Sequence, residues 1–144
     1  MNIIYSKGIP TINGSVHPKL YPFWDELVEL FKADGHYITE IPILPLPALQ
    51  RFISTSDIVI CSDSFIQHFC WYIGKRAFVL WGISDPELFG HKEHVNILKD
   101  RAYLRKDQFL VWSQATANRD AWLTAKEVYD IITKESHTGT NVII

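Results

Sequence analysis

The sequence has 144 residues, 47% of them hydrophobic and 21% charged, with a formal net charge of −2. That length fits one domain, residues 1–144, with a core of its own, and the composition is ordinary for a soluble globular protein. The charge excludes the basic footprint of a nucleic-acid or anionic-membrane binder, and no apolar run reaches the length of a membrane span.

Taken in chain order, residues 2–5 read as a short apolar strand. Residues 6–18 read as a long turn-rich loop with Gly8, Pro10, Asn13, Gly14 and Pro18; ordered loops of this length usually carry function. Pro22 suits the first position of a helix whose buried stripe is Trp24, Leu27, Val28 and Phe31. Residues 36–41 alternate as a strand does. Pro42, Pro45 and Pro47 interrupt regular structure, and a short helix over residues 48–54 follows, with Leu49, Phe52 and Ile53 inward.

Residues 57–61, DIVIC, form the kind of apolar run buried in a parallel sheet. Ser62-Asp63-Ser64 interrupts it. Ser64 suits an N-cap and Gln67 completes a capping box, while Ile66, Phe69, Cys70 and Ile73 make one helical face stopped by Gly74. Residues 77–81 are a second buried strand closed by Gly82. Residues 83–92 read as a loop and 94–98 as another strand. Residues 99–108 are ambiguous, and 109–112 are apolar but short. Asn118 or Asp120 can cap a last helix to about Lys134, with Trp122, Ala125, Tyr129 and Ile132 inward. Residues 136–144 read as a loose tail whose Val142-Ile143-Ile144 can dock on a sheet edge. Strands alternating with helices imply a Rossmann-like three-layer α/β domain with a mostly parallel sheet.

The two cysteines, Cys61 and Cys70, fall in buried elements and read as small core hydrophobes. With no signal-peptide pattern in MNIIYSKGIP, a reducing, cytoplasmic location is expected. Ligands of such sheets bind beyond the carboxyl ends of strands, where Asp63, Ser64 and His68 fall. Asp63 suits either a structural carboxylate that accepts backbone N–H bonds or a ligand contact. His68 suits either a polar helix residue or a donor to a phosphate or sugar hydroxyl. Lys19 is either solvated or a phosphate contact. His91 and His94 are spaced as a metal pair, but no third ligand is fixed by spacing, so no metal and no cofactor is expected. The P-loop, the GxSxG elbow and the CxxC pair are all missing from the sequence.

The segment D-S-F-I-Q-H at residues 63–68, followed by G-K-x-x-F-V-L-W-G-x-S-x-P at residues 74–86, resembles the nucleotide-sugar-binding half of the heptosyltransferase-like glycosyltransferases (glycosyltransferase family 9, GT-B fold). Lys19-Leu20-Tyr21-Pro22 matches that family's Lys-x-x-Pro, and the resemblance covers residues 1–98. It implies that Asp63 and Ser64 bind a nucleotide-diphosphate-sugar around its diphosphate and sugar, with His68 behind them. It also implies that Lys19 neutralises the leaving diphosphate, with Ser15 as a further phosphate contact, in an inverting, metal-independent transfer. Phe65 stands where the family has glycine. The acceptor half and the catalytic base are expected from a second Rossmann-like domain or from a homo-oligomer completing the cleft. Two other expectations stand beside this one: a non-catalytic binding or assembly module that keeps the fold, and a flavodoxin-like nucleotide binder of unrelated function.

Overall fold

A computed structural model describes residues 1–138. Five parallel strands form the central sheet: β1 (Asn2–Ser6), β4 (Tyr37–Glu40), β5 (Ile58–Ser62), β6 (Phe78–Trp81) and β7 (Val95–Leu98). Their order is β4-β1-β5-β6-β7, with Ile4 beside Val59, Cys61 beside Val79 and Leu80 beside Ile97. Helices α1 (Trp24–Ala33) and α5 (Ala125–Thr138) cover one face; α2 (Leu46–Ser54) and α3 (Phe65–Tyr72) cover the other. This is the expected three-layer α/β architecture.

Alternation along the strands sorts the core. On β5, Ile58 and Ile60 point to the side of α1 and α5, while Val59 and Cys61 point to α2 and α3. Because both faces are covered, β5, β6 and β7 are buried at every residue. Cys61 and Cys70 are free and buried in the second layer, and burial pushes the Cys70 thiol up to about 12. The first layer is built on aromatics. Tyr21 is buried against Phe23, Trp24 and Trp122 edge-on, and its hydroxyl donates to the Leu123 carbonyl at 3.0 Å.

Several boundaries differ from the sequence reading. The loop of residues 6–18 contains a hairpin, β2 (Thr11–Ile12) and β3 (Ser15–Val16). Asn13 and Gly14 both have positive φ, 50° and 77°, which is what a two-residue hairpin turn requires. Helix α1 starts two residues after Pro22, because Tyr21 and Phe23 are drawn into the aromatic cluster. Helix α2 starts earlier than expected, since Pro47 sits in its first turn, where a missing N–H costs nothing.

Residues 83–92 include a one-turn helix, α4 (Pro86–Phe89), capped by the Asp85 carboxylate, which accepts from Glu87 N–H at 2.9 Å. Residues 109–112 form no strand; Phe109, Leu110 and Val111 are exposed. The last helix starts later than Asn118. Asn118 caps a short 3-10 turn instead, and a Thr124/Glu127 capping box opens α5. Thr124 Oγ1 accepts from Glu127 N–H at 3.2 Å while Glu127 accepts from Thr124 N–H at 3.0 Å. The proposed docking of Val142-Ile143-Ile144 lies outside the described residues. No helix among the described residues is long and apolar enough to cross a membrane.

Gly82 ends β6 directly beneath Trp122, and a Cβ there would lie 2.4 Å from the indole ring. Trp122 is itself held edge-on by Tyr21, so it has little room to yield. Gly82→Ala is expected to destabilise the fold by about 1–3 kcal/mol, the usual cost of overpacking, read as a lower urea midpoint. An unchanged midpoint would contradict this packing.

Candidate functional site

The chain leaves β1 for β4 on one side and returns to β5 on the other, so the strand order reverses between β1 and β5. In open α/β sheets a crevice forms beyond the carboxyl ends of the strands at this switch point. Here it has a volume of about 370 Å³. Ser6, Lys7, Gly8 and Ile9 line it from the end of β1, and Ser62, Asp63, Ser64, Phe65 and Ile66 from the β5–α3 turn. His17 and Lys19 reach in from the segment before α1. Gly8 has a φ of 73° and a Cβ there would sit 3.1 Å from Ser62 Oγ, so the two strand ends approach closely only with glycine at this position. Ser62 Oγ donates to the Lys7 carbonyl at 3.3 Å and ties the two ends together.

Asp63 is the centre of the site. Its side chain is 7% exposed. Lys19 Nζ lies 3.0 Å from Oδ2, Ser84 Oγ donates to Oδ2 at 2.9 Å, and Gln67 Nε2 donates to Oδ1 at 2.8 Å. A buried carboxylate needs such partners, since desolvation otherwise costs far more than a fold can spare. Gln67 is therefore engaged by Asp63 and by the Phe89 carbonyl, not by a capping box. Ser64 does occupy the N-cap of α3, but its hydroxyl donates back to the Ser62 carbonyl at 3.2 Å and makes no cap bond. The first N–H groups of α3 thus have no side-chain cap where they meet the crevice, a setting that favours an anion.

Lys19 is fixed from three directions. Besides Asp63, its ammonium sits 4.7 Å from the Trp112 ring centre, and its backbone N–H donates to His17 Nδ1 at 3.1 Å. That bond places the remaining proton of a neutral His17 on Nε2. Burial, with Lys19 close by, lowers the His17 pKa. Ser84 is held by the loop after β6. Gln108 donates to the Ile83 carbonyl and accepts from Asp85 N–H, both at 2.9 Å, and Arg101 clamps Asp85 with two bonds of 3.0 and 2.8 Å.

The structure brings Lys19, Asp63 and Ser64 together as the sequence suggests. It does not bring Ser15 or His68 to the crevice. Ser15 lies exposed on β3, carried outward by the hairpin, and the hydroxyls at the crevice are those of Ser6, Ser62 and Ser64. His68 projects from the flank of α3 and pairs with His91 at 2.8 Å, while Trp71 stacks on His91 at 4.6 Å. His94 is no metal partner for His91. Its Nδ1 accepts from Ala77 N–H at 3.0 Å, its Nε2 donates to the Gln67 carbonyl at 2.7 Å, and burial lowers its pKa. Among the described residues no group of three or more His, Cys, Asp or Glu could hold a metal ion.

A second depression of about 490 Å³ runs beside Trp71, His91 and Glu93. It is larger, yet its lining shares no residue with the β1–β5 crevice and includes neither Lys19 nor Asp63. The sequence reading assigns no site role to Ser6, Lys7, Gly8, His17 or Ser84, although Ser84 is the serine of the G-x-S-x-P motif. The Ser6-Lys7-Gly8 triplet that ends β1 was the available signal: a hydroxyl, a cation and a glycine at a strand's carboxyl end.

No protein-family model and no curated protein matches the sequence. Solved structures do match in fold. The iron-containing dodecameric heptosyltransferase TibC in complex with ADP-D-beta-D-heptose is 14% identical with a TM-score of 0.69, over 96% of this chain and 46% of that one. TibC from enterotoxigenic E. coli H10407 gives 14% identity and a TM-score of 0.68, over 98% and 48%. The E. coli heptosyltransferase WaaC with ADP is 18% identical with a TM-score of 0.63, over 92% and 43%. The chain therefore has the fold of one half of a heptosyltransferase-like glycosyltransferase and spans less than half the length of these enzymes.

The Arg101–Asp85 clamp carries a pH signature. The Arg101 hydrogen bonds, with the Glu87 N–H, hold the Asp85 carboxyl below its usual range. A depressed folded pKa stabilises above the unfolded value of about 4 and is lost as pH falls through the folded value. The stability difference between the native chain and Arg101→Ala should be full at about pH 6 and shrink toward about pH 3 in urea titrations. An equal difference at both pH values would contradict the clamp.

Proposed function

We propose that this chain, folded as half of a heptosyltransferase-like glycosyltransferase, binds a nucleotide-diphosphate-sugar in the β1–β5 crevice and serves as the donor side of sugar transfer. The observation that carries the reading is the Lys19–Asp63 pair held at 3.0 Å beside the uncapped start of α3. The neighbours with the same fold hold ADP-D-beta-D-heptose in TibC and ADP in WaaC, which supplies the ligand class.

In this reading the diphosphate lies between Lys19, Lys7 and the first N–H groups of α3. Ser6, Ser62 and Ser64 hydroxyls complete its hydrogen bonds, and His17 Nε2–H stands on the same wall. Breaking the sugar–phosphate bond develops negative charge on the departing diphosphate. Fixed cations and backbone dipoles aimed at that charge lower the barrier without having to reorganise. Lys19 is the principal group, because Asp63 fixes its ammonium before any ligand arrives. With this countercharge supplied by the chain, the reading is of a metal-independent, inverting transfer. Asp63 acts as a positioning residue, since three donors occupy it.

Among the described residues the crevice lining offers no free carboxylate to deprotonate an acceptor. In the proposal the base and the acceptor site come from a second Rossmann-like domain or from another copy that closes the cleft. The same lack favours a second reading, a binding module that retains the donor crevice without transfer. Release of ADP from ADP-heptose by the purified protein separates the two readings.

Calorimetry with ADP and ADP-heptose tests the binding itself. Lys19→Ala should weaken binding by about tenfold to a hundredfold, the worth of a charge-assisted hydrogen bond, and Lys19→Arg should restore part of it. No binding at about 1 mM ligand, or an affinity indifferent to Lys19→Ala, would refute the proposal.

A further inference from the structure

The crevice has two kinds of lining. One is the cations and hydroxyls. The other is apolar: Ile9, just beyond β1, is 73% exposed and Phe65, at the start of α3, is 57% exposed, and both line the cavity. Phe65 is the first residue of α3, next in the chain to Ser64 at the N-cap. Its ring stacks on Phe69 one turn later, with centres 5.6 Å apart and planes 29° apart, so the helix holds it in place. The ring does not serve the core, because its side chain stands in solvent at the mouth of a polar crevice. An exposed aromatic at a polar rim is unfavourable for the free protein, since its apolar area stays in water.

Bound ligand changes that balance. An anion held by Lys19 and the first N–H groups of α3 places the group bonded to that anion against Phe65. Among the described residues the lining contains no amide side chain, and its carboxylate, Asp63, is already taken by three donors. Such a lining is poorly equipped to read the edge of a nucleobase. It suits a saccharide: serine hydroxyls answer the ring's hydroxyls, and an aromatic face covers the apolar C–H face that sugar rings present.

We propose that Phe65 is the platform for the sugar ring carried on the terminal phosphate, and that it makes the crevice prefer a sugar-bearing ligand to the bare nucleoside diphosphate. The inference rests on the donor-binding reading above and adds the residue that selects the sugar. A glycine at this position would leave the start of α3 open to any diphosphate; the phenylalanine makes a ring beyond the phosphate part of recognition.

Calorimetry on the intact chain with two probes, ADP and ADP-D-β-D-heptose, tests it. Phe65→Ala should weaken ADP-heptose binding by about threefold to tenfold, as expected for one stacking contact, and leave ADP binding unchanged. Phe65→Leu keeps apolar bulk without an aromatic face and should fall between the two; it carries the test should the alanine variant lose its fold by circular dichroism. An equal loss for both probes would overturn the proposal, since the ring would then serve the nucleoside or the helix start. No loss for either probe would overturn it as well. Failure of the native chain to bind either probe would instead refute the donor reading beneath it.

Discussion

Three donors from three separate parts of the chain meet on the Asp63 carboxylate. Lys19 comes from the segment before α1, Gln67 from α3 and Ser84 from the turn after β6. A carboxylate this buried is tolerated only when its lone pairs are filled, and removing a partner leaves an uncompensated charge in a poorly solvated place. The carboxyl ends of β5 and β6 and the start of α1 are thereby fixed to one another. That constraint turns three strand and helix ends into one rigid crevice wall, with an ammonium aimed along it.

The fold serves this junction from both sides of the sheet. In the first layer Tyr21, two residues after Lys19, is buried among Phe23, Trp24 and Trp122 and bonded to Leu123. The aromatic cluster therefore anchors the segment that delivers Lys19. In the second layer Gln67 reaches Asp63 while His94 accepts the Ala77 N–H and donates to the Gln67 carbonyl. Buried polar networks of this kind are favourable when every member is satisfied. Among the described residues the Gln67 amide oxygen has no hydrogen-bond partner, an exception one side chain away from Asp63. The network holds α3 at a set distance from the strand ends, so the helix start faces the crevice.

Much of this was legible in the sequence. The buried runs at β5 and β6, the Ser-Asp-Ser turn and the Lys-x-x-Pro segment placed Lys19, Asp63 and Ser64 together. Ser15 lies away from the crevice because Asn13-Gly14 folds the segment into a hairpin, which carries Ser15 outward and leaves Ser6 at the strand end. His68 lies apart from the crevice because its ring pairs with His91 on the flank of α3, a partner that local sequence does not announce. The capping box at Ser64 and Gln67 does not form for a tertiary reason, since the Gln67 Nε2 donates to Asp63 and to the Phe89 carbonyl and those bonds set the side chain's orientation. The true box at Thr124 and Glu127 obeys the same local rule, and there no buried charge intervenes. Local pattern thus held wherever the partners were local, and gave way where a buried charge or a turn reorganised distant residues.

The fold of one half of a heptosyltransferase-like glycosyltransferase, less than half the length of the heptosyltransferases it matches, makes one proposal central: the β1–β5 crevice, organised by Asp63 and Lys19, is where a nucleotide-sugar sits. Backbone amide NMR titration with ADP-heptose addresses it most directly. The account predicts saturable shifts confined to residues 6–9, 17–19 and 62–66. Shifts centred on the Trp71–His91 depression, or an unchanged spectrum at saturating ligand, would contradict it.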